Sequence, residues 1–269
     1  MAKKYLGQHF LSDPRILSRI AAALPAEPGD AVLEIGPGKG ALTAALIERG
    51  LEVTAIERDR DLIPLLRSRW PALTLVQGDA LEVDWAALMS AATRTRWFVA
   101  GNIPYNITSP LIDQALTVRP LPAAIVFLVQ KEVALRLAAG PGTSDYGALS
   151  VGAQSTALVE RLFTVPAGAF HPPPKVDSAV VRLTPRPVAD RPADQAGFRR
   201  MVVGLFASRR KQLGRAVRTL LGCDAASAEH LLAETGLDST RRAETLSVAE
   251  FRQLHQRMID GGLGDRLTL

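Results

Sequence analysis

Ala31-Val32-Leu33-Glu34-Ile35-Gly36-Pro37-Gly38-Lys39-Gly40 joins a short apolar run to a glycine-rich turn, and the helical pattern Ala41 to Arg49 follows at once. Strand, glycine loop and helix in that order open a parallel α/β unit. Glycine lets the backbone come close to a ligand, and the helix N-terminus beyond it presents free amides. Outward from this stretch the rhythm repeats. Glu52 to Ile56 reads as the second strand, Asp59 to Arg69 as its helix, Leu73 to Gln77 as the third strand and Arg96 to Gly101 as the fourth. A helix is expected to open at Thr108-Ser109-Pro110, with Ser109 as its cap and Pro110 in the first turn. Ala123 to Gln130 is the fifth strand and runs directly into a helix over Lys131 to Ala138. A capped helix, Asp13 to Leu24, precedes the whole series. This alternation predicts a parallel sheet covered on both faces.

After Gly140-Pro141-Gly142 the pattern changes. Leu158 to Val165 and Ser178 to Thr184 read as two late strands, and Pro185 through Pro192 as a linker. Beyond it, Phe198, Val202 and Leu205, then Leu213, Val217 and Leu220, recur at the spacing of amphipathic helices. The expected architecture is an α/β domain over 1–184 and a smaller helical domain over 185–269.

The 269 residues, 47% hydrophobic and 22% charged, suffice for these two cores and show no sign of wholesale disorder. The longest apolar run, Leu121 to Val129, is far short of a bilayer span, and Met1 to Tyr5 starts basic without a secretory core. Cys223 is the only cysteine, which fits a reducing cytoplasm, and His9, His171, His230 and His255 lack metal-ligand spacing. Of the net charge of +5, Pro185 to Leu269 carries +4, from 14 Arg and Lys against 10 Asp and Glu. Arg199, Arg200, Arg209, Arg210, Lys211, Arg215 and Arg218 fall in Gln195 to Cys223, a stretch without an acid. Such a patch attracts polyanions through counterion release.

Two motifs carry chemistry. Glu57 stands 21 residues after Gly36, where a carboxylate can accept from two ribose hydroxyls. The pattern also satisfies the loose dinucleotide fingerprint, so NAD and S-adenosylmethionine both fit the loop. Asp79, in Gly78-Asp79-Ala80-Leu81 after the third strand, tilts the reading to the second, because it can accept from an adenine amino group. At the end of the fourth strand stands Asn102-Ile103-Pro104-Tyr105. The Asn102 oxygen and a carbonyl near Ile103 or Pro104 can hold both N–H bonds of an exocyclic amine. That favours a pyramidal nitrogen and aims its lone pair at a methyl group. Tyr105 would stack on the base.

These stretches together resemble the KsgA/RsmA family of small-subunit rRNA adenine dimethyltransferases. The marks are Gly7-Gln8-His9-Phe10-Leu11, the glycine loop, Glu57, Gly78-Asp79-Ala80, Asn102-Ile103-Pro104-Tyr105, Val129-Gln130-Lys131-Glu132, and Phe170 with the run ending at Leu183. The resemblance implies a Rossmann-like class I methyltransferase sheet, mostly parallel with one late antiparallel strand. It implies S-adenosylmethionine as donor and two adjacent adenosines of 16S rRNA, within the 30S subunit or its precursor, as substrate. His9, Leu11, Gly36, Gly38, Glu57, Asp79, Ala80 and Asn102 are the implied cofactor contacts, with His9 where the family more often has Asn. Tyr105 and Phe170 are the implied aromatic pair around a flipped adenine, with Asn102, Ile103 and Pro104 beside them. Lys175, Arg209, Arg210 and Lys211 are the implied RNA contacts, the last three on a basic helical segment. A cytoplasmic monomer without a metal or membrane partner is expected. An Erm-type 23S rRNA methyltransferase and a non-catalytic ribosome-assembly factor are the alternatives on the same fold. The basic tail and the Phe170 to Leu183 segment favour the small-subunit branch.

Overall fold

A computed structural model describes residues 9–90 and 96–264. The chain runs β1 (Phe10–Leu11), α1 (Pro14–Ala22), β2 (Ala31–Ile35), α2 (Ala41–Glu48), β3 (Glu52–Glu57), α3 (Ile63–Arg69), β4 (Thr74–Gln77) and α4 (Trp85–Ser90). Next come β5 (Trp97–Asn102), α5 (Thr108–Thr117), β6 (Ala124–Gln130), α6 (Lys131–Ala138), α7 (Ala148–Thr156) and β7 (Ala157–Val165). It ends with β8 (Phe170–His171), β9 (Ser178–Pro185), α8 (Gln195–Ala207), α9 (Leu213–Leu221), α10 (Ala225–Glu234) and α11 (Val248–Asp260). Among the described residues, no helix is long and apolar enough to cross a membrane.

Seven strands form one sheet in the order β4-β3-β2-β5-β6-β9-β7. β2 pairs in parallel with both β3 and β5, and β5 with β6, so the strand order reverses between β2 and β5. In an open α/β sheet the crevice at the carboxyl ends of such strands is the binding position. The glycine loop leaves β2 there, and Asn102 ends β5 there. β9 returns antiparallel to β6 with Ser178 opposite Gln130, which is the late antiparallel strand expected from sequence.

The sheet is built on apolar strands closed by helices. Val32, Phe98, Val126 and Leu128 share one buried cluster with Leu17 and Ile20 of α1 and Leu42 and Leu46 of α2. α1 starts where sequence placed it: the Asp13 side chain accepts from the amides of Arg15 and Ile16, and Pro14 lies in the first turn. α5 differs from expectation. It begins at Thr108, with Ile107 at its cap and no side-chain bond there, so Ser109 lies inside the helix. A 3-10 turn over Tyr105–Ile107 starts the coil early, and the Thr108 hydroxyl bonds back to the Tyr105 carbonyl at 3.2 Å.

The chain divides into two compact units. One takes the chain up to Ala134 together with Val159–Pro185, the other Leu135–Leu158 together with the chain from Arg186 onward. The last crossing falls one residue from the expected boundary, whereas the excursion over 135–158 departs from a single boundary at 184/185. Its cause is burial: Tyr146 and Val151 sit in the helical unit's own core with Phe198, Leu205 and Phe251. The Tyr146 hydroxyl donates to the Leu246 carbonyl at 2.8 Å. Tyr146→Phe leaves that buried carbonyl without this donor. A destabilisation of about 1–3 kcal/mol is expected, read as a lower denaturation midpoint followed by a probe in the helical unit.

Candidate active site

A cleft of about 560 Å³ opens at the carboxyl ends of β2, β3 and β5. Sites for small molecules and cofactors run from roughly 300 to 1,000 Å³, so a nucleoside-sized ligand fits. His9, Leu11, Gly36, Gly38, Glu57, Asp79, Ala80 and Asn102, the cofactor residues expected from sequence, all line it, as do Ile103, Pro104 and Tyr105. Gly7 and Gln8 of the first motif lie outside the described residues.

The glycine loop takes its shape from three left-handed residues, Gly36 at φ +67°, Gly38 at φ +59° and Gly40 at φ +81°. A Cβ on Gly38 would also stand 3.1 Å from the Phe10 ring. The Gly38 amide donates to Glu57 Oε2 at 2.9 Å, and the Asp59 amide to Oε1 at 2.7 Å. Glu57 is thus fixed, with acceptor capacity left for a ligand. Burial raises its pKa, against the pull of those two amides and of the Arg58 amide. Asp79 is held in a turn by the Leu81 amide at 3.0 Å and paired with Arg58 at 3.2 Å. The Ala80 carbonyl beside it accepts from the Trp85 indole at 2.8 Å.

Glu34 also lines the cleft, and sequence reasoning assigned it no role. It is buried on β2, and the Thr43 hydroxyl donates to its Oε2 at 2.7 Å. Burial pushes its carboxyl up to about 8, with Glu57 adding to the rise and Thr43 opposing it. A charged residue in the middle of an otherwise apolar five-residue strand was the available signal. Neither Glu34 nor Glu57 has a cationic partner among the described residues. With Glu34 protonated at neutral pH, what the wall offers a ligand is the hydrogen-bonding capacity of Glu57 rather than a pair of negative charges. The wall suits a pyrophosphate badly, because the loop amide at Gly38 is already committed to Glu57.

At the end of β5 the Asn102 amide nitrogen donates to the His9 carbonyl at 2.9 Å, and no described residue donates to its Oδ1. The Pro104 carbonyl is engaged by the following turn, accepting from the Ile107 amide at 3.2 Å. The Ile103 carbonyl has no such donor among the described residues, so it is the second acceptor that the tetrapeptide offers. Tyr105 is fixed at its hydroxyl, 2.8 Å from Ser178 Oγ, and burial raises its pKa.

Two expectations are not met in this geometry. Phe170 does not face Tyr105: it is buried in the sheet cluster, and its neighbour His171 lines the cleft instead. Successive strand residues point to opposite sides, and Phe170 takes the core side opposite Leu11. Lys175, expected to meet RNA rather than the cofactor, is exposed and stands outside the lining of the cleft. Arg209, Arg210 and Lys211 are not helical, because α8 ends at Ala207 and they form the turn before α9. Arg209 is moreover engaged by Glu244 and the Ser144 carbonyl, whereas Arg210, Lys211 and Arg215 are exposed without an acidic partner among the described residues.

A family model described as ribosomal RNA adenine dimethylase matches residues 1–259. A Geobacter sulfurreducens protein named ribosomal RNA small subunit methyltransferase A is 43% identical over 267 residues, covering 97% of this chain and 96% of that protein. A Pseudomonas syringae pv. tomato protein of the same name is 44% identical over 257 residues, covering 94% and 93%. A dimethyladenosine transferase structure from Plasmodium falciparum superposes with a TM-score of 0.83 at 26% identity, covering 94% of this chain and 98% of that one. The 23S rRNA methyltransferase ErmE superposes less closely, with a TM-score of 0.69 at 27% identity, over 93% and 99%.

The protonation of Glu34 sets a pH dependence of stability. Between the ordinary value of 4.5 and about 8 the folded chain keeps a proton that the unfolded chain has lost. Stability therefore falls as pH rises through that window, with a limiting slope of about 1.4 kcal/mol per pH unit, and levels off above it. Glu34→Gln removes this contribution. Thermal midpoints of the ligand-free protein between about pH 5.5 and 8.5 should decline less steeply in the variant than in wild type. Parallel profiles would show that Glu34 is ionised throughout.

Proposed function

This chain belongs to the ribosomal RNA adenine dimethylase family, and on that premise we propose that it transfers methyl groups from S-adenosylmethionine to N6 of two adjacent adenosines near the 3′ end of 16S rRNA. The observation that carries the reading is the Asn102 amide. Its nitrogen is held by the His9 carbonyl, so its oxygen faces the cleft beside the Ile103 carbonyl and the Tyr105 ring. Two acceptors and an aromatic face suit an exocyclic amine on a flat base.

S-adenosylmethionine would supply the electrophilic methyl, carried on a cationic sulfur. Glu57 would take the ribose hydroxyls on its remaining lone pairs, Asp79 and Ala80 would meet the adenine, and Gly36, Gly38, Leu11 and His9 would close around the rest. Asn102 Oδ1 and the Ile103 carbonyl would accept the two N–H bonds of the target amine and turn its lone pair toward the methyl. These acceptors are an amide and a carbonyl, so the rate comes from alignment and preorganised dipoles rather than from a strong base. The N6 proton becomes acidic once the nitrogen is alkylated and passes to water. Arg210, Lys211 and Arg215 would bind the rRNA backbone, with Lys175 meeting a further phosphate. Action in the cytoplasm, as a monomer on the 30S subunit or its precursor, belongs to the same reading.

Labelled donor offered with undermethylated 30S particles and, separately, with naked 23S rRNA tests it. Dimethyladenosine at two adjacent 16S positions is expected, and Asn102→Ala should abolish it. Label confined to 23S rRNA would replace this reading with the Erm-type one. Arg210→Ala with Lys211→Ala should weaken 30S binding and reduce the salt slope by about one for each phosphate left without its cation, with S-adenosylmethionine affinity intact. Arg209 is left in place because it holds Glu244. An unchanged slope would place the RNA-binding surface elsewhere.

A further inference from the structure

Beside the amine acceptors, the ring facing Tyr105 is that of His9, 5.9 Å between centroids and 22° from parallel. A base held between two aromatic planes needs about twice the ordinary stacking distance of roughly 3.4 Å, close to ~7 Å in all. The plane-to-plane gap cannot exceed the centroid separation, so no base enters between these two rings until one of them moves. Tyr105 is anchored to the large sheet through Ser178, a buried residue of β9. His9 adjoins a two-residue strand paired only with β8, and its ring is held by the bond from Nδ1 to the Pro172 carbonyl at 2.8 Å. The ring that moves is His9.

We propose that the His9 imidazole is a placeholder for the target base: it covers the stacking face of Tyr105 in the substrate-free protein, and the flipped adenine takes its position. The inference rests on the base-modifying reaction proposed above and adds a residue that controls entry to its seat. Phe170 is buried and does not compete for this role. The coupling to Asn102 follows from geometry. The same residue whose ring covers Tyr105 holds the Asn102 amide through its main-chain carbonyl. Its side chain thus controls entry, while its backbone presents the acceptor that will meet the incoming amine.

Steady-state methylation of undermethylated 30S particles by wild type, His9→Asn, His9→Ala and His9→Phe tests the proposal. His9→Asn and His9→Ala remove the ring and keep the carbonyl that holds Asn102. The KM for 30S particles should fall about two- to tenfold in both, because the seat no longer has to be vacated. His9→Phe keeps a stacking ring and should hold KM at or above the wild-type value. Circular dichroism and the thermal midpoint of each variant establish that it is folded, and S-adenosylmethionine is kept saturating for each. A KM equal to or above wild type in both ring-less variants overturns the placeholder. A ring that helped to grip the base would loosen substrate when removed, and one clear of the base would change nothing. Absence of methyl transfer from wild type itself overturns the functional reading instead, so the two failures are distinct.

Discussion

The bond from the Gly38 amide to Glu57 Oε2 ties the glycine loop of one strand to the end of the next, and the cleft is built around it. Parallel pairing sets Ile35 opposite Ile56, so the loop leaves β2 level with the last residues of β3. The Gly36 amide then donates to the Ile56 carbonyl at 2.9 Å, and Gly38 reaches the carboxylate one residue further on. Only left-handed glycines bring the chain that close. The Asp59 amide takes the other oxygen, which leaves the carboxylate no freedom to turn. In a dinucleotide site the loop amides are kept for a pyrophosphate, with the helix dipole behind them. Here one is committed to an acid, so the loop presents a carboxyl edge in place of a free amide.

That commitment favours one of the two ligand classes that a fingerprint read from spacing leaves open. The glycines and the acid 21 residues after Gly36 occur in both classes. What separates them is the partner of each polar group. Glu34 and Glu57 share the wall without a cation among the described residues, and burial raises the pKa of both. Spacing cannot report this, because it depends on where Thr43, Gly38 and Asp59 deliver their donors once α2 and β3 are in place.

The large sheet is legible in the sequence because its strands are short apolar runs with turn residues between them. The helix over Lys131–Ala138 has the boundaries that its pattern predicts. The positions of Gly36, Glu57, Asp79 and Asn102 follow from their places at strand ends, which a parallel sheet collects along one edge. Shorter elements escape such a reading. α4 has six residues, too few to show a period, and α7 carries Gly152, Val151 and Thr156, weak helix formers that mask it. β1 and β8 have two residues each, so no alternation marks which side chain faces the core, and Phe170 lies on the side opposite to the one expected. The partner of Tyr105 is unreadable for the same reason: His9 arrives from far upstream on an arm whose pairing has no pattern in the chain.

The seat at Tyr105 is balanced by terms of similar size. An aromatic pair contributes about 0.5–1.5 kcal/mol beyond its burial, and the net value of a hydrogen bond such as that from His9 to the Pro172 carbonyl is of the same order. Stacking of a nucleobase on an aromatic side chain contributes about 1–3 kcal/mol, enough to replace the His9 ring but not by a wide margin. A free base therefore gains little by exchanging with His9. On the proposed function, an adenosine delivered as part of a bound RNA has its association cost met by the rest of that RNA. The small surplus from stacking then decides the exchange. Under that proposal a weakly held placeholder makes opening of the seat depend on the RNA that carries the base, rather than on the base alone.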